Sequence, residues 1–221
     1  LVEGDLRAVA DSLGTFDYII AHGFYSWVPP DVRDAFLALA SRHLAPGGLV
    51  YVSYNVLPGC FVRQIGWDAI KLENVGAKST RERLDGARRI RRDLAEAWAA
   101  AGGMAGLLAS EFADDPDRTD SALYHDDMAG VNQPVYFTTF VRHAGAHGLG
   151  FLAEAATGTM GTGGLPPELQ SIIAAADPLS REQYIDFARL RRFRQSVLAA
   201  TRDVSQAQLA PQALERLHVS A

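Results

Sequence analysis

The chain has 221 residues with a net charge of −5, and its hydrophobic fraction of 48% is enough to bury a core in one large domain or two small ones. The acidic balance argues against a nucleic-acid or membrane-surface binder, because both need a basic excess, and no apolar run approaches the ~20 residues of a membrane span. The single cysteine, Cys60, excludes an internal disulfide and a cysteine-based zinc cluster, which fits a reducing cytoplasm.

The most informative stretch begins at Phe16 and is predicted to run as a buried strand to Ala21. A continuous apolar run is typical of a parallel strand covered on both faces, and ligands bind beyond the carboxyl ends of such strands. The run stops at His22-Gly23 and an aromatic-rich loop follows. We therefore expect a ligand site just after Ala21. The preceding segment, residues 1–6, is predicted to be the tail of a strand followed by a loop.

A helix and a second strand follow this site. Asp31 is a good N-cap, and the apolar residues after it recur at three- and four-residue spacing as far as His43, which predicts one buried stripe. The helix is expected to end at residues 45–48, Ala-Pro-Gly-Gly, and residues 49–54 are predicted to form the second strand. Two strands joined by a helix are expected to lie parallel in a right-handed βαβ unit, which indicates half of a doubly wound sheet.

The rest of the chain is predicted to be mainly helical. Residues 61–128 carry no strand signal and include a helix near 80–101, and a second helix begins near Ser121. A helix is expected from 137 to 147, followed by an alternating edge strand over 149–155. Two further helices are predicted near 166–176 and 180–200, and the polar tail beyond Val204 is expected to fray.

At this point the chain resembles a known family. Residues 16–29 look like the fourth strand and following loop of a class I S-adenosylmethionine-dependent methyltransferase, and residues 44–55 are similar to its helix end and fifth strand. Further segments resemble the methyltransferase regulatory domain, a helical module found in a bacterial subgroup that includes protein-lysine methyltransferases. These segments are residues 57–59, 125–137, 147–155 and 191–195.

The resemblance implies an α/β fold in which a partial doubly wound, Rossmann-like sheet precedes a mainly α-helical regulatory domain. We expect the methyltransferase half to occupy residues 1–60, the regulatory domain 61–156, a helical segment 157–204 and a tail 205–221. The family's acidic-Gly-x-Gly-x-Gly turn and the acidic residue of its second strand are not found in the sequence. We interpret the chain, which begins with Leu1, as a C-terminal fragment that is inactive alone and leaves an apolar strand edge uncovered.

The resemblance also assigns residues to the cofactor, S-adenosylmethionine. Asp5 and Leu6 match the place where the family reads the adenine, although an ordinary turn would explain them as well. Ala21, His22 and Gly23 match the backbone that meets the methionine moiety, the alternative being a simple end to the strand.

Two aromatic residues, Tyr25 and Trp27, are candidates for binding the acceptor lysine. Aromatic faces attract sulfonium and ammonium groups by cation–π interaction, worth roughly 0.5–2 kcal/mol each. The alternative is that both pack in the core.

Three residues are candidates for the chemistry itself. Tyr54 and Asn55 could present a hydroxyl and an amide to the acceptor amine, or could instead satisfy turn backbone. His22 could act as a general base, although proximity and desolvation suffice for many methyl transfers. His143 and His147 are spaced four apart, as in some zinc sites, but the sequence shows no third ligand, so no metal is predicted.

Two functional interpretations remain open. In the first, the full-length bacterial protein methylates an amine, with protein lysine the expected acceptor, in the cytoplasm. In the second, the chain is a non-catalytic regulatory or protein-interaction module without a complete cofactor site. The arginines at 189, 191, 192 and 194 could dock an acidic protein surface or pair with the sheet domain.

Overall fold

The computed structural model describes residues 3–8, 13–112 and 119–206. Within this part of the chain a four-stranded sheet has the order β1-β2-β4-β3, and its strands are β1 Phe16–Ala21, β2 Leu44–Asn55, β3 Leu149–Glu154 and β4 Phe193–Ala200. The first two strands are parallel, and β4 is antiparallel to both of its neighbours. The expected α/β fold class is confirmed.

Helices cover both the connection between the parallel strands and the region that follows them. They are α1 Pro30–His43, α2 Cys60–Glu73, α3 Thr80–Ala101, α4 Gly103–Ala109, α5 Asp120–Ala122, α6 Phe137–Ala146, α7 Pro167–Ala175, α8 Pro178–Arg189 and α9 Thr201–Gln206. The start of α3 is well defined because Ser79 caps the amide of Glu82 while the Glu82 carboxylate accepts from the amide of Lys78. Among the helices described, none is both long enough and apolar enough to cross a membrane.

The main hydrophobic core lies between the sheet, α1 and α6. Helix α1 contributes Phe36, Leu37 and Ala40, all of them buried; Phe36 and Ala40 belong to the stripe that the sequence predicts, and Leu37 does not. Helix α6 contributes Phe140 to the same core, and its ring stacks on Tyr54 of β2 with 4.1 Å between the ring centroids. The βαβ unit and the helix that precedes β3 therefore share one core.

The C-terminal strand β4 corrects the helix predicted over 180–200. Helix α8 ends at Arg189, where Leu190 takes the left-handed conformation with φ of 47°. The strand then buries Arg194 and Ser196 on the same face as Leu198. Because two of these three inward-facing residues are polar, the alternation of apolar and polar residues that predicts a strand does not appear in the sequence.

A buried ion network explains why polar residues occupy that face of β4. The guanidinium of Arg194 donates to Asp186 at 2.9 Å, to Glu154 at 2.7 Å and to Glu182 at 3.1 Å, and it lies 4.0 Å from the ring centroid of Phe137. Burial raises the pKa of Asp186 despite the adjacent cation. Two roles were open for the arginines at 189, 191, 192 and 194: docking an acidic protein surface or pairing within the protein. Arg194 pairs within the protein.

The segment before β1 forms a short turn, and β1 itself lies at an edge of the sheet. Leu6 begins a short 3₁₀ turn, Leu6–Ala8, rather than ending a strand, while residues 1–2 and the tail from 207 lie outside the described residues. Strand β1 is an edge strand of the described sheet, and Tyr18 and Ile20 are each 71% exposed. The prediction of a strand buried on both faces is therefore wrong for β1, whereas its place at an edge of the described sheet agrees with the sequence.

Candidate functional site

The candidate site lies at the carboxyl ends of the parallel strands β1 and β2. His22 follows β1 directly, is exposed, and has its Nδ1 3.1 Å from the hydroxyl of Tyr51 and 3.3 Å from that of Ser53. The amide of Gly23 donates to Ser53 Oγ at 2.7 Å. Gly23 has φ of +60°, and a Cβ built on it would meet no atom within 4 Å, so the turn leaves open space beside the strand end.

A buried arginine on α1 fixes the loop that follows this turn. Arg33 donates to the carbonyl oxygens of Val28 at 3.2 Å, Ser26 at 3.4 Å and Gln133 at 3.3 Å. Burial lowers the pKa of Arg33, and its guanidinium lies over the Tyr25 ring at 4.9 Å from the centroid. The loop after β1 is thus held against α1 and against the segment that precedes α6.

The end of β2 is held in the same way. The backbone amide of Asn55 donates to Ser26 Oγ at 2.8 Å, and its side-chain amide donates to Asn132 at 3.1 Å. Val56 forms an isolated parallel bridge with Val135. These contacts bring the ends of both strands and the 131–135 segment to one edge of the sheet, as the sequence predicts for the strand ends.

Two of the predicted aromatic side chains lie inside the protein. Tyr25 is only 2% exposed, its hydroxyl lies 2.8 Å from Nδ1 of His143, and burial raises its pKa to about 12. Tyr54 is fully buried with its hydroxyl 3.0 Å from Ser196 Oγ, and burial raises its pKa well above the ordinary value. Tyr25 is buried as the core alternative expected, whereas Tyr54 contacts a side chain of β4 rather than turn backbone. Trp27 ends the 3₁₀ turn Tyr25–Trp27 and is half-buried.

The residues matched to adenine binding lie on a separate short segment. The exposed Asp5 carboxylate accepts from Arg7, which lowers the pKa of Asp5 to about 2. Arg7 also reaches Asp31 at the start of α1, with 2.7 Å between the charged atoms. Leu6 is half-buried and packs against the main core. The segment is therefore attached to α1 through Arg7, and the carboxylate of Asp5 is already engaged.

The structure also reveals contacts that the sequence did not indicate. Ser53 and Tyr51 are two residues apart on β2 and both reach His22, a relationship that strand alternation could have shown once the register was known. The sequence shows no third ligand beside His143 and His147, but the structure places a carboxylate there. The carboxylate of Asp34, on α1, meets both imidazoles.

A parallel βαβ unit extended by antiparallel strands and helices is an α/β architecture that matches part of a methyltransferase-like fold. Residues 119–200 match the family described as the predicted methyltransferase regulatory domain. The match begins well after the boundary predicted for the regulatory domain, and the division into domains stays a prediction.

Two solved structures are similar to this chain. The structure of PKMT2 from Rickettsia typhi has 29% sequence identity and a TM-score of 0.78, covering 89% of this chain and 37% of that one. PKMT2 in complex with AdoHcy has 28% identity and a TM-score of 0.80, covering 90% and 38%.

The relatives matched by sequence are longer than this chain. Uncharacterized protein RP789 of Rickettsia prowazekii (strain Madrid E) is 36% identical over 202 residues, which span 86% of this chain and 35% of RP789. Uncharacterized protein RP028 of the same strain is 27% identical over 135 residues, 61% of this chain and 54% of RP028. The chain thus spans about a third of RP789 and of PKMT2.

Proposed function

We propose that the chain is part of a methyltransferase that transfers the methyl group of S-adenosylmethionine to an amine of a protein, with lysine as the expected acceptor, in the bacterial cytoplasm. The observation that carries the proposal is the turn at Gly23, which leaves open space at the carboxyl end of β1. It is supported by the similarity to PKMT2, whose structure was solved with AdoHcy, the product left by S-adenosylmethionine after methyl transfer.

Methyl transfer requires the residues at this edge of the sheet to bind the cofactor and to accept a proton. The cofactor supplies an electrophilic methyl group on a sulfonium, and the acceptor amine must present a free lone pair. We assign Ala21, His22 and Gly23 to the side of the methionine moiety, because they form the open strand end. His22 is exposed there, so its imidazole is available to accept the proton that the ammonium form of the acceptor must lose.

The remaining predicted residues receive different roles in the proposal. Asn55 and Trp27 border the same edge and remain candidates for the acceptor side. Tyr25 and Tyr54, which are buried, are assigned to holding the loop and β2 in place rather than to touching the reacting atoms. Asp5 and Leu6 keep their proposed place beside the adenine, and binding there requires Asp5 to share its carboxylate with Arg7.

The first test is calorimetric titration of S-adenosylhomocysteine. It should be run on this chain and on the protein extended toward the N-terminus to the length of PKMT2. Binding to the extended protein that weakens about tenfold in His22→Ala, but not in His125→Ala, supports the proposal. His125 is a matched control because it is an exposed histidine on a different segment. If neither protein binds, the non-catalytic interpretation replaces this one.

The acceptor is tested separately with radiolabelled S-adenosylmethionine and a bacterial protein extract. One half of the extract should first have its lysine amines blocked by acetylation. Label that enters only the unblocked half supports lysine as the acceptor. Equal labelling of both halves would contradict lysine while leaving methyl transfer itself intact.

A further inference from the structure

We propose that Asp34, His143 and His147 form a binding site for a divalent transition-metal ion of the zinc type. The three residues come from two elements: Asp34 lies on α1, His143 lies on α6, and His147 is the residue that ends α6. Two histidines four residues apart lie on the same face of a helix, so both imidazoles point toward α1. The proposal concerns a site apart from the strand ends and does not depend on methyl transfer.

The geometry meets the requirements of such an ion. Nε2 of His143 lies 3.2 Å, and Nε2 of His147 lies 2.8 Å, from the same carboxylate oxygen, Oδ1 of Asp34. One ligand atom from each residue falls within 4.8 Å of the other two. Nitrogen and oxygen atoms bound to a tetrahedral zinc ion at about 2.0–2.2 Å lie roughly 3.3 Å apart, and the two distances to Asp34, 3.2 Å and 2.8 Å, are close to that separation.

The surroundings of His143 provide a second, independent observation. The hydroxyl of the buried Tyr25 lies 2.8 Å from Nδ1 of His143. Histidines that bind metals through one ring nitrogen pass the hydrogen of the other to an oxygen, which fixes the ring and its tautomer. Tyr25 occupies that position, and it leaves Nε2 of His143 facing His147 and Asp34.

The exposure of the cluster suits a site with three protein ligands and a water molecule. The side chains of Asp34, His143 and His147 are 61%, 27% and 18% exposed, so the imidazoles are sheltered and the carboxylate side is open to solvent. Imidazole with carboxylate is a donor set that suits zinc, copper and nickel better than magnesium or calcium. Because histidine and aspartate come from different helices, the ion would fasten α1 of the sheet region to α6, within the regulatory domain.

The test is calorimetric titration of Zn²⁺ into the untagged chain, with circular dichroism to confirm folding. We expect one zinc ion per chain with affinity in the micromolar range or tighter. His147→Ala and Asp34→Ala should each weaken binding about a hundredfold or more, since each removes one of three ligands. The matched controls His125→Ala and Asp31→Asn, the latter on the same helix as Asp34, should bind zinc like the wild type.

Tyr25→Phe separates a metal site from a simple ion pair. The substitution removes no metal ligand, but it removes the hydroxyl group that contacts Nδ1 of His143. We therefore expect the zinc affinity to fall about tenfold. Zinc should also raise the melting temperature of the wild type and not that of His147→Ala. The proposal is overturned if the wild type binds no zinc in the micromolar range, or if His147→Ala and Asp34→Ala bind it as tightly as the wild type.

Discussion

The hydroxyl of Ser53 accepts a hydrogen bond from the amide of Gly23 at 2.7 Å, and it lies 3.3 Å from Nδ1 of His22. This one side chain on β2 therefore fixes the turn at which β1 ends. Ser53 is fully buried, so water does not compete for these contacts. The position of His22 at the candidate site follows from the register between the two parallel strands.

Replacing Ser53 with alanine should loosen this turn. The Gly23 amide would lose its acceptor, and we expect the free energy of unfolding to fall by about 1–3 kcal/mol. Urea denaturation measures that change, and titration of S-adenosylhomocysteine into the extended protein should show weaker binding. Ser171→Ala is the control, because Ser171 is exposed and bonds only to the carbonyl of its own helix. A Ser53→Ala protein as stable as the control would contradict this role.

The two parallel strands could be predicted from the sequence because the pattern that indicates each strand lies within the strand itself. The strand Phe16–Ala21 has the predicted bounds, and an apolar run that ends at a glycine needs no knowledge of its partners. Strand β2 was recognised but placed too late: it begins at Leu44, because the chain passes directly from α1 into pairing with Phe16. The glycines at 47 and 48 lie inside the strand rather than ending the helix.

The antiparallel strand β4 and the Asp34 cluster could not be predicted because they depend on distant partners. Arg194 is inward only because Glu154, Glu182 and Asp186 surround it, and these carboxylates come from other elements. In the same way, Asp34 meets the two histidines across more than a hundred residues of sequence. Periodicity detects a residue's own helix or strand, but it does not detect which polar groups face one another.

Removing the charge of Arg194 should be among the most damaging single changes. Arg194→Met leaves Glu154 and Glu182 buried without the Arg194 cation and leaves Asp186 paired with Arg191, so we expect the free energy of unfolding to fall by about 3–5 kcal/mol. The matched control is Arg81→Met, which breaks an exposed pair with Asp85. Chemical denaturation of both variants at neutral pH gives the comparison.

The pH dependence of the Arg194→Met deficit follows from the same contacts. Burial already raises the pKa of Asp186, and losing the guanidinium raises it further. A carboxyl whose folded pKa lies above its unfolded value stabilises the fold at low pH and loses that contribution as the pH rises through the folded pKa. The deficit of Arg194→Met relative to the wild type should therefore shrink on acidification, and a deficit that grows would contradict this account.

Gly59 lies where two backbone segments approach each other closely. Its amide donates to the carbonyl of Arg191 at 3.1 Å, and a Cβ at this position would overlap the carbonyl oxygens of Leu190 and Arg191. Because the obstacle is backbone, Gly59→Ala should cost at least about 3 kcal/mol of stability or prevent folding. Thermal unfolding checks this against Gly130→Ala, where a Cβ would meet nothing within 4 Å. Equal melting temperatures for the two variants would mean that the segments can separate freely.

Asp177 caps helix α8, which carries Glu182 and Asp186 to Arg194. Its carboxylate accepts from the amides of Leu179 at 3.0 Å and Ser180 at 3.1 Å. Hydrogen bonds from the side chain and backbone of Ser180 lower the pKa of Asp177 below its ordinary value of 3.8. Its ionised form therefore stabilises the fold above that value, and the contribution is lost as the pH falls through the lowered pKa.

Asp177→Asn isolates this charge, because asparagine is also a good cap but does not ionise. We expect the variant to melt a few degrees below the wild type at neutral pH, since the negative charge also favours the positive end of the helix. The gap should close as the pH drops below 3.8, the ordinary value for the carboxyl. Asp68→Asn, on the side of α2, removes a carboxyl that caps no helix and should change melting little. A gap between Asp177→Asn and the wild type that stays constant on acidification would show that the charge of Asp177 contributes nothing to the helix.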